Sequence, residues 1–246
     1  MNSCKNCNEP TNGNYCSNCG QPTVLKRIDK HYIFQEIGEI LGAKKGLLFT
    51  IKKLLISPGK SVRHFLAKDR YRFVKPILFL IVMSLIYTFV NYFSQIKIDE
   101  YAFSSPFLNI RVDGVEGVES VFKWMRENFG YSNLLIGLFM AFWVKLLFRK
   151  SGYNLFEIFI LMCFVSGISI IFLSVGTIIQ NITHWHLLQI SNLITMIYLV
   201  WAVGQFFDKK RVASYAKTLL AYFLGAITFS AFVLSIGFLI DIIMNK

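Results

Sequence analysis

Apolar and polar positions alternate on two length scales along this chain. Over the last two thirds, five long apolar runs are separated by short polar breaks. The first, 76–93, reads PILFLIVMSLIYTFVNYF and carries no charge; eighteen helical residues at about 1.5 Å each nearly cross a hydrocarbon core of about 30 Å. The second covers 131–148, with Lys145 near its end, and the third 155–180, with Glu157 near its start. The fourth covers 187–207 and the fifth 218–240, just before Asp241. No proline lies inside any of them, and runs this long and apolar predict transmembrane helices rather than a soluble bundle.

Upstream the pattern is shorter and amphipathic. Ile33, Ile37, Ile40, Leu41, Leu48, Ile51 and Leu55 recur at helical spacing and predict one apolar face, with Lys44, Lys45, Lys52 and Lys53 on the more polar side. Gly42 and Gly46 are points where this element divides in two. Ser57-Pro58-Gly59 reads as an N-cap followed by proline in the first turn, opening a second helix over about 60–71 that carries Lys60, Arg63, Lys68, Arg70 and Arg72.

Composition and charge sharpen this picture. The 246 residues are 54% hydrophobic and only 16% charged, shifted from soluble domains toward the membrane class. Half of the 26 Lys and Arg lie between Lys26 and Lys75, with four acids among them: Asp29, Glu36, Glu39 and Asp69. The adjoining span holds that basic segment near a bilayer, so anionic lipid headgroups are favoured over nucleic acid as its partner. Further basic residues flank the breaks after the second span (Arg149, Lys150) and the fourth (Lys209, Lys210, Arg211, Lys217), whereas 96–130 is more acidic than basic. With five spans this places every basic region on one side, the N-terminus in the cytoplasm and the C-terminus outside.

Four of the five cysteines fall in the first 19 residues as two CxxC pairs, Cys4/Cys7 and Cys16/Cys19. Four thiolates at this spacing make the closed tetrahedral set of a structural Zn²⁺ ribbon; iron in the same sulfur site and two disulfides are the alternatives. The N-terminus lacks the apolar segment of a signal peptide, which argues for a reduced metal site. Gly20 permits the tight turn of a knuckle, and Asn12-Gly13 signals a hairpin between the pairs. Some twenty residues bury little, so the metal would supply the folding free energy. The expected architecture is an all-α polytopic membrane protein in three regions: a zinc ribbon over 1–22, basic amphipathic interfacial helices over 23–75, and a five-span domain over 76–246.

Within the spans, Lys145 and Glu157 lie at matching depth across a short break and predict an ion pair at the inner membrane surface. His184 and His186 flank Trp185 near the opposite surface and read as an interfacial aromatic cluster. Ala221-xxx-Gly225 is a small-xxx-small pattern suited to close helix contact. Residues 119–127 predict a short helix in the outer loop. No phosphate-binding glycine loop, HExxH or Ser/His/Asp arrangement stands out, so no enzymatic activity is expected.

The knuckle with its Cys-Gly-Gln ending and the stretch KGLLFTIKKLLISPGKSVRHFLAKDRYRFVKPILFL together resemble a family of uncharacterised membrane proteins found mainly in Bacteroidota, over about the first third of the chain. That resemblance implies a multi-pass protein of the bacterial inner membrane. More distantly, a cytoplasmic N-terminus, a Ser-Pro turn before a surface helix and five spans are similar to the Yip family, which acts in membrane trafficking and organisation. The functional expectation is a scaffold or adaptor whose cytoplasmic ribbon binds a protein partner. A transporter or lipid-handling protein is the alternative, and a midplane cavity lined by Asn91 or Asn192 would favour it.

Overall fold

The computed structural model describes residues 2–4, 6–11, 13–20, 42, 45–94, 116–183, 187–208 and 210–244. The chain divides into two compact units, 1–42 and 43–246.

In the first unit, β1 (Asn2–Ser3) pairs antiparallel with β2 (Pro10–Thr11). This pair brackets the first CxxC, whereas the hairpin expected at Asn12-Gly13 includes Asn12, outside the described residues. The apolar face over 33–41, Lys44, the loop over 96–115, and His184 and His186 also lie outside them.

The second unit is helical. After α1 (Leu47–Ile56) and α2 (Pro58–Ala67) come α3 (Pro76–Phe93), α4 (Glu116–Glu127), α5 (Phe129–Leu147), α6 (Leu155–Thr183), α7 (Leu188–Asp208) and α8 (Val212–Met244). Five of these, α3 and α5 to α8, are long and apolar enough to cross a membrane. Their outward surface carries Leu85, Phe89, Phe142, Ile182, Ile190 and Leu239, all exposed. An apolar exterior of this extent suits lipid and not water, so this is a multi-pass membrane protein. The helix of the fifth span outruns its apolar window at both ends, because backbone hydrogen bonding continues through Ser214, Tyr215 and Lys217 and past Asp241. The apolar window marks what lipid accepts, not where a helix stops.

The third span is the hub. α6 packs against α3, α5 and α7 and also receives α1 and α2. Its Phe164 is fully buried and meets Phe65 of α2 at 5.2 Å, Phe79 of α3 at 5.8 Å and Phe73, in the α2–α3 connection, at 6.3 Å between ring centroids. Edge-on and tilted aromatic contacts of this kind add specific geometry to burial. One turn further along α6, Gly167 leaves the slot that the Phe79 ring fills: a Cβ there would lie 2.4 Å from a ring carbon. The bundle end where α3 and α6 begin and α5 and α7 finish is tied by rings. Phe148 stacks on Phe207 at 3.9 Å, and Tyr153 lies 4.6 Å from Phe206. Lys217 lies 5.8 Å over Phe148, so the basic breaks and the α1–α2 pair share this end.

At the other end α4 runs antiparallel along α8. Met125 is buried with Phe229 and Val233, and Val118 packs at Gly237. The expected helix over 119–127 is thus present but starts at Glu116, and it is packed on one side rather than fully solvated.

Gly167→Val should wedge α3 from α6 and cost about 1–3 kcal/mol, as overpacking does. Thermal unfolding in detergent should show a lower midpoint, while Leu85→Ala, on the exposed surface, should leave it in place.

Candidate functional site

The first candidate is a metal centre. In the first knuckle the Asn8 N–H donates to the Cys4 carbonyl at 2.9 Å; in the second the Gly20 N–H donates to the Cys16 carbonyl at 2.9 Å. The residue after each second cysteine is left-handed, Asn8 at φ 59° and Gly20 at φ 74°. The two knuckles are therefore built alike. Gly20 was legible as a turn former; Asn8 was not singled out, although asparagine is among the few residues that tolerate this conformation. These turns point both sulfurs of each pair inward. Cys4 Sγ lies 3.5 Å from Cys19 Sγ, Cys7 Sγ lies 3.5 Å from Cys16 Sγ, and all four fall within 4.8 Å of one another.

A tetrahedron with metal–sulfur bonds of about 2.3 Å has edges of about 3.8 Å, so the donor set fits one tetrahedral thiolate-bound ion. The separations far exceed the roughly 2 Å of a disulfide. Among the four thiols a backbone hydrogen bond at Glu9 pulls the Cys7 thiol down. Desolvation and hydrogen bonding from Cys19, Cys16 and Cys4 outweigh it and push the thiol up to about 12. A bound cation reverses that balance by stabilising thiolate.

The second candidate is the basic α1–α2 hairpin. Thr50, fully buried in α1, donates to the Gly46 carbonyl at 2.8 Å and accepts the Val74 N–H at 3.0 Å, pinning the segment before α3 to α1. Ser57 turns the chain, and Pro58 opens α2 as expected. Gly59 lies directly on the end of α7. Its N–H donates to Gln205 Oε1 at 2.8 Å, and a Cβ would fall 2.3 Å from the Phe206 nitrogen. Arg63 then donates to the carbonyls of Gln205, at 2.7 Å, and Phe206. A guanidinium on the last carbonyls of a helix satisfies acceptors that have no partner within it and complements the dipole.

These contacts sort the residues expected to bind the membrane surface. Arg63 is half-buried and serves as a cap for α7. Arg72 lies 4.4 Å over the Phe49 ring and 4.0 Å from Asp69, and Lys45 donates to the Tyr71 hydroxyl at 3.3 Å. Arg70 donates to the Leu66 carbonyl. Lys52, Lys53, Lys60 and Lys68 are exposed. The apolar face of α1 differs from the expected one. Leu47, Phe49, Thr50 and Leu54 face the bundle, whereas Leu48 and Leu55 point outward beside Ile56. Both sides of α1 are apolar, and periodicity alone does not distinguish a protein-facing side from a lipid-facing one.

The expected Lys145–Glu157 ion pair is not formed among the described residues. Lys145 donates to the Tyr153 carbonyl, and Glu157 closes a reciprocal N-terminal cap with Asn154, at 2.9 and 2.8 Å. The break between the spans supplies both charges with nearer partners than each other. Ala221 is buried, and Gly225 admits Met140 of α5, so the small-xxx-small pattern serves the α5–α8 contact.

Arg63→Gln should lower stability by about 1.5–3 kcal/mol, the scale of hydrogen bonds to a charged group. Lys60→Gln should change it by less than about 0.5 kcal/mol. Chemical unfolding of both variants in the same detergent checks the contrast.

Against known proteins the match is confined to this hairpin and the span it leads into. No curated protein and no solved structure matches the chain. Residues 45–88 match the model of a family described as a protein of unknown function, DUF3667, and over that stretch, α1 through most of α3, the chain is similar to it.

Proposed function

We propose that this protein is a non-enzymatic membrane scaffold of the bacterial inner membrane, with a zinc ribbon that binds a protein partner in the cytoplasm. The observation that carries this reading is the four-thiolate cluster set in a compact unit of its own. Four donors fill a tetrahedral ion and leave no position for substrate, which suits a structural role. Zinc is favoured over iron because it needs no redox partner and is the usual ion of two-knuckle ribbons. The N-terminus lies in the cytoplasm and the C-terminus outside. The basic hairpin, Arg149, Lys150 and Arg211 gather at one end of the bundle, and positive residues are retained in the cytosol. The exposed Leu48, Leu55 and Ile56 of α1 then meet the leaflet while Lys52 and Lys53 reach its anionic headgroups. Topological similarity to the Yip family belongs to the same reading.

Lipid handling is a second reading, supported by the basic groove of the hairpin. That groove lies between α1, α2 and the α2–α3 connection and is lined by neither Asn91 nor Asn192.

Affinity capture from native membranes tests the scaffold. The intact chain should retain a cytoplasmic protein that the Cys4→Ser/Cys16→Ser variant loses, and metal analysis should find about one zinc per intact chain and none in the variant. The same proteins captured by both chains would sink the partner-binding role. A tag fused after Lys246 that proved accessible from the cytosol would sink the orientation.

A further inference from the structure

The groove has a volume of about 470 Å³, within the range of small-ligand sites. Its floor is apolar: Phe49 and Phe73 meet edge to face at 5.2 Å between centroids. Its rim carries Lys53, Lys60, Arg63, Lys68 and Arg72, with Asp69 as its one carboxylate. Lys60, Ser61 and His64 of α2 line it, with Ser57 and Lys68 at the two ends of that helix.

The charges are unevenly spent. Arg63 is committed to the α7 carbonyls. Asp69 is shared between Arg72 at 4.0 Å and His64 at 3.9 Å. Lys53 lies 5.8 Å over the Phe49 ring. Among the described residues, the ammonium groups of Lys60 and Lys68 make no hydrogen bond or ion pair, though they face one concavity that already holds three other cations. Like charges gathered in a low-dielectric concavity raise its potential and favour an incoming anion. Lysine ammonium groups are compact donors suited to phosphate, and basic pockets beside membrane helices take phosphorylated headgroups.

From this geometry we infer that the groove is a binding site for one phosphate-bearing group, held by Lys60 and Lys68 and flanked by Lys53 and Arg72, with the organic part of the ligand against Phe49 and Phe73. Every lining residue falls within the stretch that matches the family model. The site deepens the lipid-surface part of the proposed function and rests on it only for the source of the ligand.

The full-length chain, purified in uncharged detergent, is titrated with inorganic phosphate and with short-chain phosphatidic acid, phosphatidylcholine serving as the zwitterionic comparison. Native mass spectrometry reads stoichiometry and calorimetry reads affinity. One phosphate-bearing molecule should bind per chain. Affinity should fall about tenfold or more in Lys60→Gln/Lys68→Gln and stay within about twofold in Arg149→Gln/Lys150→Gln. The single variants, Lys60→Gln and Lys68→Gln, should each lose part of it, with unfolding midpoints matching the parent. Phosphatidic acid binding that inorganic phosphate fails to displace assigns a headgroup; phosphate binding with the same variant sensitivity and no lipid preference assigns a soluble phosphate compound. Absence of saturable binding by either probe, or equal weakening in both double variants, overturns the site. A preference for phosphatidic acid over phosphatidylcholine that both double variants keep without a fixed stoichiometry overturns the site but leaves diffuse surface attraction in place. Loss of that preference in the parent chain removes both.

Discussion

Inside a bilayer an apolar side chain gains little by exchanging lipid for protein, so helices there are held by what lipid does not supply: tight steric fit and paired polar groups. The second unit follows that constraint closely. Gly167 gives Phe79 its slot, Gly225 admits Met140, and Gly59 brings the start of α2 onto the backbone of α7. Hydroxyls along the spans return to their own helix: Ser84, Thr177 and Ser230 each donate to the carbonyl four residues earlier. Arg63 adds the charged member of the set by closing the end of α7. Phe164 collects the rings of α2, α3 and the segment between them, so the surface hairpin is mortised into the bundle rather than laid over it.

That joint explains why a hairpin rich in lysine and arginine keeps a defined shape. Its buried side, with Leu54 and Val62 fully enclosed, faces the spans, and the Tyr198 hydroxyl of α7 donates to the Leu54 carbonyl at 3.1 Å. The backbone positions that carry the cations are thereby fixed around the groove, while the Lys60 and Lys68 side chains stay exposed.

The spans and the clustering of the four cysteines were legible because each rests on a local rule. Uncharged length decides the first, and CxxC spacing decides the second. The helical nature of 47–67 and the turn at Ser57-Pro58 were legible for the same reason. What escaped depends on partners far away in sequence. Arg63 meets Gln205 and Phe206 across more than 140 residues, and read alone it is one more surface cation. The inward side of α1 escaped because Leu47 and Leu48 are equally apolar, and only packing against the other helices decides which one turns in. Lys145 and Glu157 looked paired by depth, yet the Tyr153 carbonyl and Asn154 stand closer to them. Asn8 was hidden because its role lies in its backbone angle rather than its side chain.

The far end of the longest helix has a mechanical corollary. At about 1.5 Å per residue, the 33 residues of α8 reach about 50 Å, well past a hydrocarbon core of about 30 Å. α4 lies along the last turns of α8, with Val118 lodged at Gly237, and passes into α5 through Asn128, whose N–H donates to the Trp124 carbonyl at 2.8 Å. The second and fifth spans are therefore joined at both ends, through α4 at one and through Lys217 over Phe148 at the other.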